Sequence, residues 1–144
     1  MRYGVRKANV NRHMKIFITG VAGFLGSHLA DLMLSQGHTV AGNDNMIGGY
    51  TDNVPQDVEF HQIDCCDLEN LTKAMDGCDI VYHTAATAYE GLSVFSPVLV
   101  TRNIFEASVT TITAAIRNKV KRIVYCSSMA RYGHHDQVPY KETY

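Results

Sequence analysis

The most constraining feature of the chain is a short apolar strand that passes through three glycines into an amphipathic helix. It occupies residues 16–29, IFITGVAGFLGSHL, and its glycines are Gly20, Gly23 and Gly26. Between a strand and a helix, such glycines permit a tight turn, allow a phosphate to approach the backbone, and let the helix lie close to the strand. The run therefore predicts a dinucleotide site.

The residues around this run support the same prediction. Phe24 and Leu25 fall in the first helical turn, where unpaired N–H groups and the positive end of the helix dipole favour an anion. An acidic residue, Asp44, closes the next apolar stretch at a suitable distance. An ordinary glycine-rich turn is the alternative, and the flanking strand, helix and acidic residue favour the dinucleotide site.

Alternating strand and helix patterns predict the fold class. Apolar runs indicate strands at 15–19, 38–43, 58–62, 79–83 and 122–127, and helical spacing indicates helices at 24–36, 68–75 and about 97–118. Buried parallel strands read as nearly continuous apolar runs, so we expect a sheet covered on both faces. Right-handed crossovers then place the strands in the order 3-2-1-4-5. These features predict an α/β protein with a Rossmann-type doubly wound parallel sheet, truncated after the fifth strand.

The first helix carries an apolar stripe. Leu25, Leu29, Leu32 and Met33 recur at spacings of three and four, and we expect them to pack on the strands. Gly37 is expected to end this helix.

Composition limits the possible classes of protein. With 144 residues, 46% of them hydrophobic, the chain fits one domain at 14–144 after a flexible leader at 1–13. A net charge of -1 gives no electrostatic case for nucleic acid or an anionic membrane as partner, so a small-molecule ligand is expected. No apolar run reaches the roughly 18 to 20 residues that a bilayer requires, and no signal peptide is recognised, so we expect a cytoplasmic protein.

The cysteines and histidines do not predict a metal site. The four cysteines show no CxxC spacing, which favours reduced thiols. His134 and His135 lack a recognisable third ligand, so a solvated loop is the better interpretation of that pair.

The end of the second strand predicts which nicotinamide cofactor binds. The Asp44 carboxylate can accept hydrogen bonds from both hydroxyls of the adenosine ribose and would repel a 2′-phosphate. Its neighbours Asn45 and Met46 carry no positive charge, so NAD is favoured over NADP. The alternative is an aspartate that caps a turn with Asn45 and Gly48.

Two further segments are expected at the same edge of the sheet. Asp64 ends the third strand, where it and the adjacent Cys65 would lie at the adenine, while Asp67 is expected to cap the helix that follows. After the fourth strand, the small side chains of Thr84, Ala85 and Ala86 would let the cofactor lie against the sheet. Small residues of the protein core are the alternative there.

Together these residues resemble the extended short-chain dehydrogenase/reductase superfamily and, within it, the NAD-dependent epimerase/dehydratase family. The resemblance runs from about residue 15 to residue 144. Its marks are TGVAGFLG at 19–26, DN at 44–45, Asp64, DIVYHTAA at 79–86, Asn103, and VKRIVYCSSMARYG at 120–133.

The resemblance implies a function and further residue roles. It implies that NAD oxidises a hydroxyl of a nucleotide-sugar to a transient ketone, and that Ser128 holds the reacting hydroxyl, with Ser127 the weaker candidate. Without the family pattern, a serine that caps a turn is the simpler interpretation of Ser128. Asn103 would help to hold the geometry on the cofactor side, although Glu106 stands where the family has a glycine.

The family also uses a tyrosine, with a lysine four positions later, as acid and base. In these 144 residues only Tyr3 has such a lysine, Lys7, and we interpret that match as chance. The expected function is therefore the NAD-binding portion of a nucleotide-sugar epimerase or dehydratase, inactive as this fragment. The alternative is a non-catalytic NAD-responsive module, or a subunit completed by a partner chain, and a homo-oligomer is compatible with either.

Overall fold

The fold places five parallel strands in one sheet. The computed structural model describes residues 13–89, 91–134 and 138–143. In this part of the chain the strands are β1 Lys15–Thr19, β2 Thr39–Asn43, β3 Glu59–His61, β4 Ile80–His83 and β5 Arg122–Tyr125. Their order is β3-β2-β1-β4-β5, which confirms the predicted topology and the Rossmann-type fold class.

The helices follow the predicted alternation. They are α1 Phe24–Ser35, α2 Leu68–Ala74, α3 Leu92–Phe95, α4 Pro97–Thr101 and α5 Ala107–Arg117. Gly37 follows the end of α1 with φ +81°, and the Asp67 carboxylate accepts from the backbone N–H of Asn70 (3.1 Å), so the predicted helix end and cap are confirmed. Helix α3 and two short 3-10 turns, Thr51–Asn53 and Met129–Tyr132, were not predicted.

The core has two halves, one on each face of the sheet. On one face, Ile16 and Ile18 of β1 pack with Val40 of β2 against α1. On the other face, Phe17 packs with residues of α2 and α5, including Leu71. Successive side chains of a strand point to opposite faces, so β1 contributes to both halves. Helices therefore cover both faces of the sheet at its central strands, as expected.

The prediction that β5 is a buried strand is wrong. Val124 is 37% exposed and Tyr125 is 50% exposed, and Cys126 beyond the strand is also exposed. Within the described residues β5 pairs with β4 alone, so one of its edges gains no neighbouring strand. An apolar run therefore identified the strand correctly but not its burial.

The apolar stripe predicted on α1 is also partly wrong. Leu25 and Leu32 are about half exposed, at 53% and 49%, whereas Met33 is buried. The buried face of α1 is formed instead by small residues, Gly26, Ser27 and Ala30, together with Met33. The glycines bring the start of α1 so close to the sheet that small side chains fill the contact.

The start of the predicted domain is partly described. Residues 1–12 of the predicted leader, Tyr3 and Lys7 included, lie outside the described residues. His13 Nε2 lies 2.8 Å from Thr39 Oγ1, and Met14 packs against the core. Within the described ranges, no helix has the length and apolar character needed to cross a bilayer.

Candidate functional site

A cavity of about 340 Å³ lies beyond the carboxyl ends of the strands. It has the size of a small-molecule site and the position in which doubly wound sheets bind ligands. Every residue predicted to bind the cofactor lines it: Gly20, Gly23, Phe24, Leu25, Gly26, Asp44, Asn45, Asp64, Cys65, Thr84, Ala85, Ala86 and Asn103. The fold thus brings together segments that are more than 80 residues apart in the sequence.

The glycine-rich turn leaves no room for side chains at its key positions. Gly20 has φ +71°, a left-handed conformation that glycine adopts without strain. A Cβ on Gly26 would lie 2.1 Å from the Gly20 carbonyl oxygen, and a Cβ on Gly23 would lie 3.2 Å from the same atom. The start of α1 is therefore in direct backbone contact with the turn.

The first turn of α1 presents unpaired donors to the cavity. The Gly23 N–H bonds to the Gly20 carbonyl (3.1 Å) and the Ser27 N–H to the Gly23 carbonyl (3.0 Å). Between them, the N–H groups of Phe24, Leu25 and Gly26 have no backbone or side-chain acceptor within the described ranges, and no side chain caps the helix. Such donors, with the positive end of the helix dipole, suit a phosphate group.

Asp44 is held in place by backbone donors. Its Oδ2 accepts from the Ala22 N–H (3.2 Å) and its Oδ1 accepts from the Met46 N–H (2.8 Å). A Cβ on Gly49 would lie 3.0 Å from both carboxylate oxygens, so this glycine, which sequence reasoning missed, leaves them room. Asn45 stabilises the same loop, because its Oδ1 accepts from the Ile47 N–H (3.1 Å). The carboxylate is thus preoriented at the cavity wall.

Asp64, a second acid in the cavity lining, is engaged by two donors. Its Oδ1 accepts from the Cys66 N–H (2.8 Å), and its Oδ2 lies 2.9 Å from Nη1 of Arg102. Partial burial tends to raise the pKa of Asp64, but the hydrogen bonds from Cys66 and Arg102 outweigh it and hold that pKa below 3.8. Asp64 is therefore ionised at neutral pH.

Cys65, beside Asp64, is a buried thiol. The Asn43 side-chain amide donates to its Sγ (3.3 Å), and burial raises the pKa of Cys65 above its usual 9.0. A neutral thiol of this kind is a packing group, because the thiolate is the nucleophilic form.

The segment after β4 is tied to the end of β1. The Thr84 hydroxyl donates to the Thr19 carbonyl (2.6 Å), and the Ala85 N–H donates to Thr19 Oγ1 (3.2 Å). A Cβ on Gly20 would lie 2.8 Å from the Ala85 Cα. The small residues at 84–86 therefore pack directly on the glycine-rich turn and also form the cavity wall.

Asn103 reaches the cavity through a feature that the sequence did not reveal. The helix predicted at about 97–118 is interrupted by a π-helical turn, Arg102–Glu106, in which the Ala107 N–H bonds to the Arg102 carbonyl. Asn103 is 9% exposed, and its Nδ2 donates to Thr87 Oγ1 (3.1 Å). Single π turns inside helices are frequent at functional sites.

Ser128 lies outside the cavity lining. It is exposed, and its Oγ accepts from the Ala130 N–H (3.1 Å), so it caps the 3-10 turn at Met129–Tyr132. This is the arrangement that the simpler interpretation of the serine predicted. Tyr132 in the same turn stacks on Tyr140, with ring centroids 5.4 Å apart.

The cavity also contains residues that sequence reasoning missed. They are Asn43, Ile47, Gly48, Gly49, Thr87, Ala88, Tyr89 and Ala107. Each of them is within four positions of a predicted residue, so extending each predicted segment by four residues would have found them. Ala107 lies four positions after Asn103, the ordinary spacing of neighbours on one face of a helix.

The described residues contain no group of three or more His, Cys, Asp or Glu side chains that could hold a metal ion. His134 is one of the described residues, whereas its sequence neighbour His135 lies outside them.

Comparison with known proteins identifies relatives of the chain. The model of the NAD dependent epimerase/dehydratase family matches residues 16–144. Probable UDP-arabinose 4-epimerase 3 of Arabidopsis thaliana is 32% identical over 138 residues, which cover 88% of this chain and 34% of the relative. UDP-glucose 4-epimerase of Lacticaseibacillus casei is 33% identical over 132 residues, which cover 90% of this chain and 40% of the relative.

A solved structure matches the fold closely. The crystal structure of UDP-glucose 4-epimerase from Brucella ovis in complex with NAD superposes with a TM-score of 0.86 at 30% identity, covering 90% of this chain and 40% of that chain. The matched family is NAD dependent, which confirms the cofactor predicted from the sequence for this family. The chain spans 34% to 40% of the length of the two curated relatives.

Proposed function

The chain belongs to the NAD dependent epimerase/dehydratase family, and we propose that its 144 residues form the NAD-binding part of a nucleotide-sugar epimerase or dehydratase. One observation carries the proposal: the unpaired N–H groups at the start of α1 and the preoriented Asp44 carboxylate line the same cavity. A dinucleotide needs both, because it joins an anionic diphosphate to a ribose whose hydroxyls are donors.

Different segments of the cavity lining suit different parts of NAD. The N–H groups of Phe24 and Leu25 would hold the diphosphate, and Asp44 would accept from the adenosine ribose. The adenine would lie towards Asp64 and Cys65, whereas Asn103 and the wall at 84–86 would border the remainder of the cofactor. The four segments were predicted from the sequence, and their common cavity supports these roles.

The charges of the cavity favour NAD over NADP. Among the described residues that line it, none is Lys or Arg, and Asp44 is the acid at the ribose end. A 2′-phosphate there would face a carboxylate with no cation to compensate it. We therefore propose that the chain discriminates against NADP.

The proposed chemistry divides between the cofactor and the chain. When bound, NAD accepts hydride from a sugar carbon. The chain's own residues bind and orient it, and Ser128 would position the reacting hydroxyl, although its Oγ now caps the turn at 129–132. The tyrosine and lysine of the family have no counterpart at the matching place in residues 1–144, since Tyr3 and Lys7 precede β1. We expect weak binding of NAD and no epimerase turnover by these residues alone.

Calorimetric titration of the 144-residue chain tests the proposal. We expect NAD to bind and NADP to bind more weakly. Failure of NAD to associate with folded protein, even at millimolar excess, would overturn the proposed function. A coupled assay with UDP-glucose tests the second expectation, and robust epimerisation would show that these residues suffice for catalysis.

A second candidate function rests on the exposed edge of the sheet. Val124 and Tyr125 of the edge strand β5 are exposed, and an uncovered strand edge is a surface for pairing. An NAD-responsive module or a subunit completed by a partner chain would use this surface. Light scattering separates the candidates, since a stable monomer argues against completion by a partner. The expected cytoplasmic location remains a prediction.

A further inference from the structure

A histidine that the proposed chemistry does not use lies within a continuous series of hydrogen bonds. His83 ends β4 and is 3% exposed. Its Nδ1 lies 2.8 Å from Thr19 Oγ1, and its Nε2 lies 3.0 Å from Ser108 Oγ. The imidazole therefore joins the last residue of β1 to the first turn of α5.

The direction of each hydrogen bond follows from backbone groups at the two ends, which can only accept or only donate. Ser108 Oγ lies 2.5 Å from the Ile104 carbonyl oxygen, which can only accept, so the Ser108 hydroxyl donates there. Ser108 Oγ then accepts from His83 Nε2–H. A neutral imidazole carries one hydrogen, so Nδ1 accepts from the Thr19 hydroxyl, whose oxygen accepts from the Ala85 N–H. All four bonds thus agree with one tautomer.

The surroundings of His83 favour the neutral ring. Burial lowers the pKa of His83 to about 4. The Tyr125 ring stacks on the imidazole, with centroids 5.6 Å apart. At neutral pH the ring therefore holds a single hydrogen, as the bond directions require.

One end of this series lines the cavity, and the other end is next to a residue that lines it. Ala85 forms part of the wall that packs on Gly20, where a Cβ on the glycine would be 2.8 Å from the Ala85 Cα. At the other end, Ile104 belongs to the π-helical turn that carries Asn103 into the lining. The backbone of Gly20 packs tightly on Ala85. A shift of either end of the hydrogen-bond series would therefore change the shape of the cavity.

We infer that His83 is a positioning residue: with its hydrogen on Nε2, it holds the glycine-rich turn, the wall at 84–87 and the π-helical turn of Asn103 in register around the cavity. It is not among the described residues that line the cavity, and it acts through Thr19 and Ser108. The inference rests on the proposed function for the identity of the ligand, NAD, whereas the tautomer is independent of any ligand.

The first test is the tautomer in solution. Nitrogen-15 NMR of the imidazole at neutral pH should find Nε2 protonated and Nδ1 unprotonated, with or without NAD. A ring protonated on Nδ1 alone, or on both nitrogens, would overturn the inference.

The second test compares two hydroxyls of α5. Ser108 and Thr113 each donate to a carbonyl four residues earlier, but Ser108 also accepts from His83. We expect Ser108→Ala to weaken NAD binding by about three- to tenfold, the effect of one hydrogen bond, and Ser108→Thr to restore it. The matched variant Thr113→Ala should leave NAD affinity unchanged.

The outcomes are distinguishable. Equal NAD affinities of Ser108→Ala and Thr113→Ala, in proteins that unfold with similar midpoints, would overturn the positioning role while leaving the proposed function intact. If the wild-type chain does not bind NAD, the proposed function and the cofactor part of this inference both fail. The NMR measurement then still decides the arrangement of the hydrogen bonds.

Discussion

The segments that follow β4 and β5 begin side by side, since His83 pairs with Tyr125, yet they are held very differently. After β4, the Thr84 hydroxyl donates to the carbonyl of Thr19 on the neighbouring strand. After β5, the Ser128 hydroxyl accepts from the Ala130 N–H of its own turn. The Thr84 hydroxyl is thus bonded across the sheet, whereas the Ser128 hydroxyl is bonded within its own turn.

The difference teaches that a hydroxyl at the end of a strand takes its role from the elements around it. β4 lies between β1 and β5, so its carboxyl end faces the glycine-rich turn. β5 pairs with β4 alone in the part of the chain that the structure describes. The cofactor side of the site is therefore built by tertiary contacts, and we expect changes there to have larger effects than changes around Ser128.

The largest effect is expected at the contact between α1 and the glycine-rich turn. In Gly26→Ala the new Cβ would lie 2.1 Å from the Gly20 carbonyl oxygen, a backbone atom that cannot move freely. We expect a loss of several kcal/mol of stability, about 3 or more, and loss of NAD binding. Urea unfolding and calorimetry measure both. Gly91→Ala, whose new Cβ meets no atom of the described residues within 4 Å, is the matched control. Equal stability of the two variants would contradict the contact.

The next effect is the dependence of stability on pH that the buried His83 imposes. Its pKa is about 4 in the folded protein against 6.5 for an ordinary histidine, so in this window the unfolded chain binds a proton that the folded chain does not. The stabilising contribution is complete above pH 6.5 and falls by roughly 1.4 kcal/mol per pH unit, about 3 kcal/mol in total, as the pH approaches 4. Urea unfolding at several pH values measures this loss.

The carboxylates Asp64 and Asp67 affect stability at a lower pH than His83, so the two contributions can be measured separately. The hydrogen bonds from Asn70 lower the pKa of Asp67 below 3.8, and the pKa of Asp64 is also below that value. Their contributions are therefore lost mainly below pH 4. The NMR signals of the His83 ring give a direct check, since a ring that titrates near pH 6.5 would contradict the buried, neutral histidine.

A smaller but more specific effect is expected at the ribose end of the cavity. Asp44→Asn keeps the shape of the side chain but removes the charge and one of its two acceptors. We expect NAD affinity to fall by about ten- to a hundredfold, as for a hydrogen bond to a charged group, and the preference over NADP to shrink. Calorimetric titration with both nucleotides measures the change. Asp52→Asn, at an exposed acid on the same loop, should change neither affinity.

Thr84→Val tests the bond that crosses the sheet. It removes the donor that satisfies the Thr19 carbonyl at 2.6 Å while preserving the size of the side chain. We expect a loss of about 1 kcal/mol of stability, within a range of 0.5 to 2, and a modestly weaker affinity for NAD. Thr84→Ser, which keeps the hydroxyl, should recover most of the stability. If Thr84→Val were as stable as the wild type, the proposed difference between the segments after β4 and β5 would be contradicted.

The smallest effect is expected at Ser128. Ser128→Ala removes one local, exposed hydrogen bond, so the stability should change by at most about 0.5 kcal/mol and the NAD affinity not at all. Thermal unfolding and calorimetry check this. A large loss of NAD affinity would mean that the segment after β5 contacts the cofactor side, contrary to its exposed position.

The sequence predicted those parts of the site that depend on local sequence patterns. The glycines at 20, 23 and 26 and the acids at strand ends each mark a backbone requirement, and they could be assigned to one edge of the sheet because parallel strands end there. The exposure of Val124 and Leu32 was not predictable, since an apolar residue signals burial only when another element covers it.

The π-helical turn at Arg102–Glu106 lies between these cases. The segment was predicted as one regular helix, because its residues have helical spacing and no glycine or proline interrupts it after Pro97. The turn brings Asn103 to Thr87 and lies beside the ion pair of Arg102 with Asp64. Those partners come from two other segments, so no local pattern could reveal the extra residue in the turn.

By itself the sequence determined the alternation of strands and helices, the order of the strands and the glycine-rich turn, because these depend on backbone conformation and on the period of apolar residues. Only the tertiary structure decided which distant polar groups meet: His83 with Thr19 and Ser108, and Asp44 with the backbone of residue 22. The physical reason is distance, since a hydrogen bond needs its two atoms within about 3 Å. Residues far apart in the sequence reach that separation only after the sheet and helices have packed.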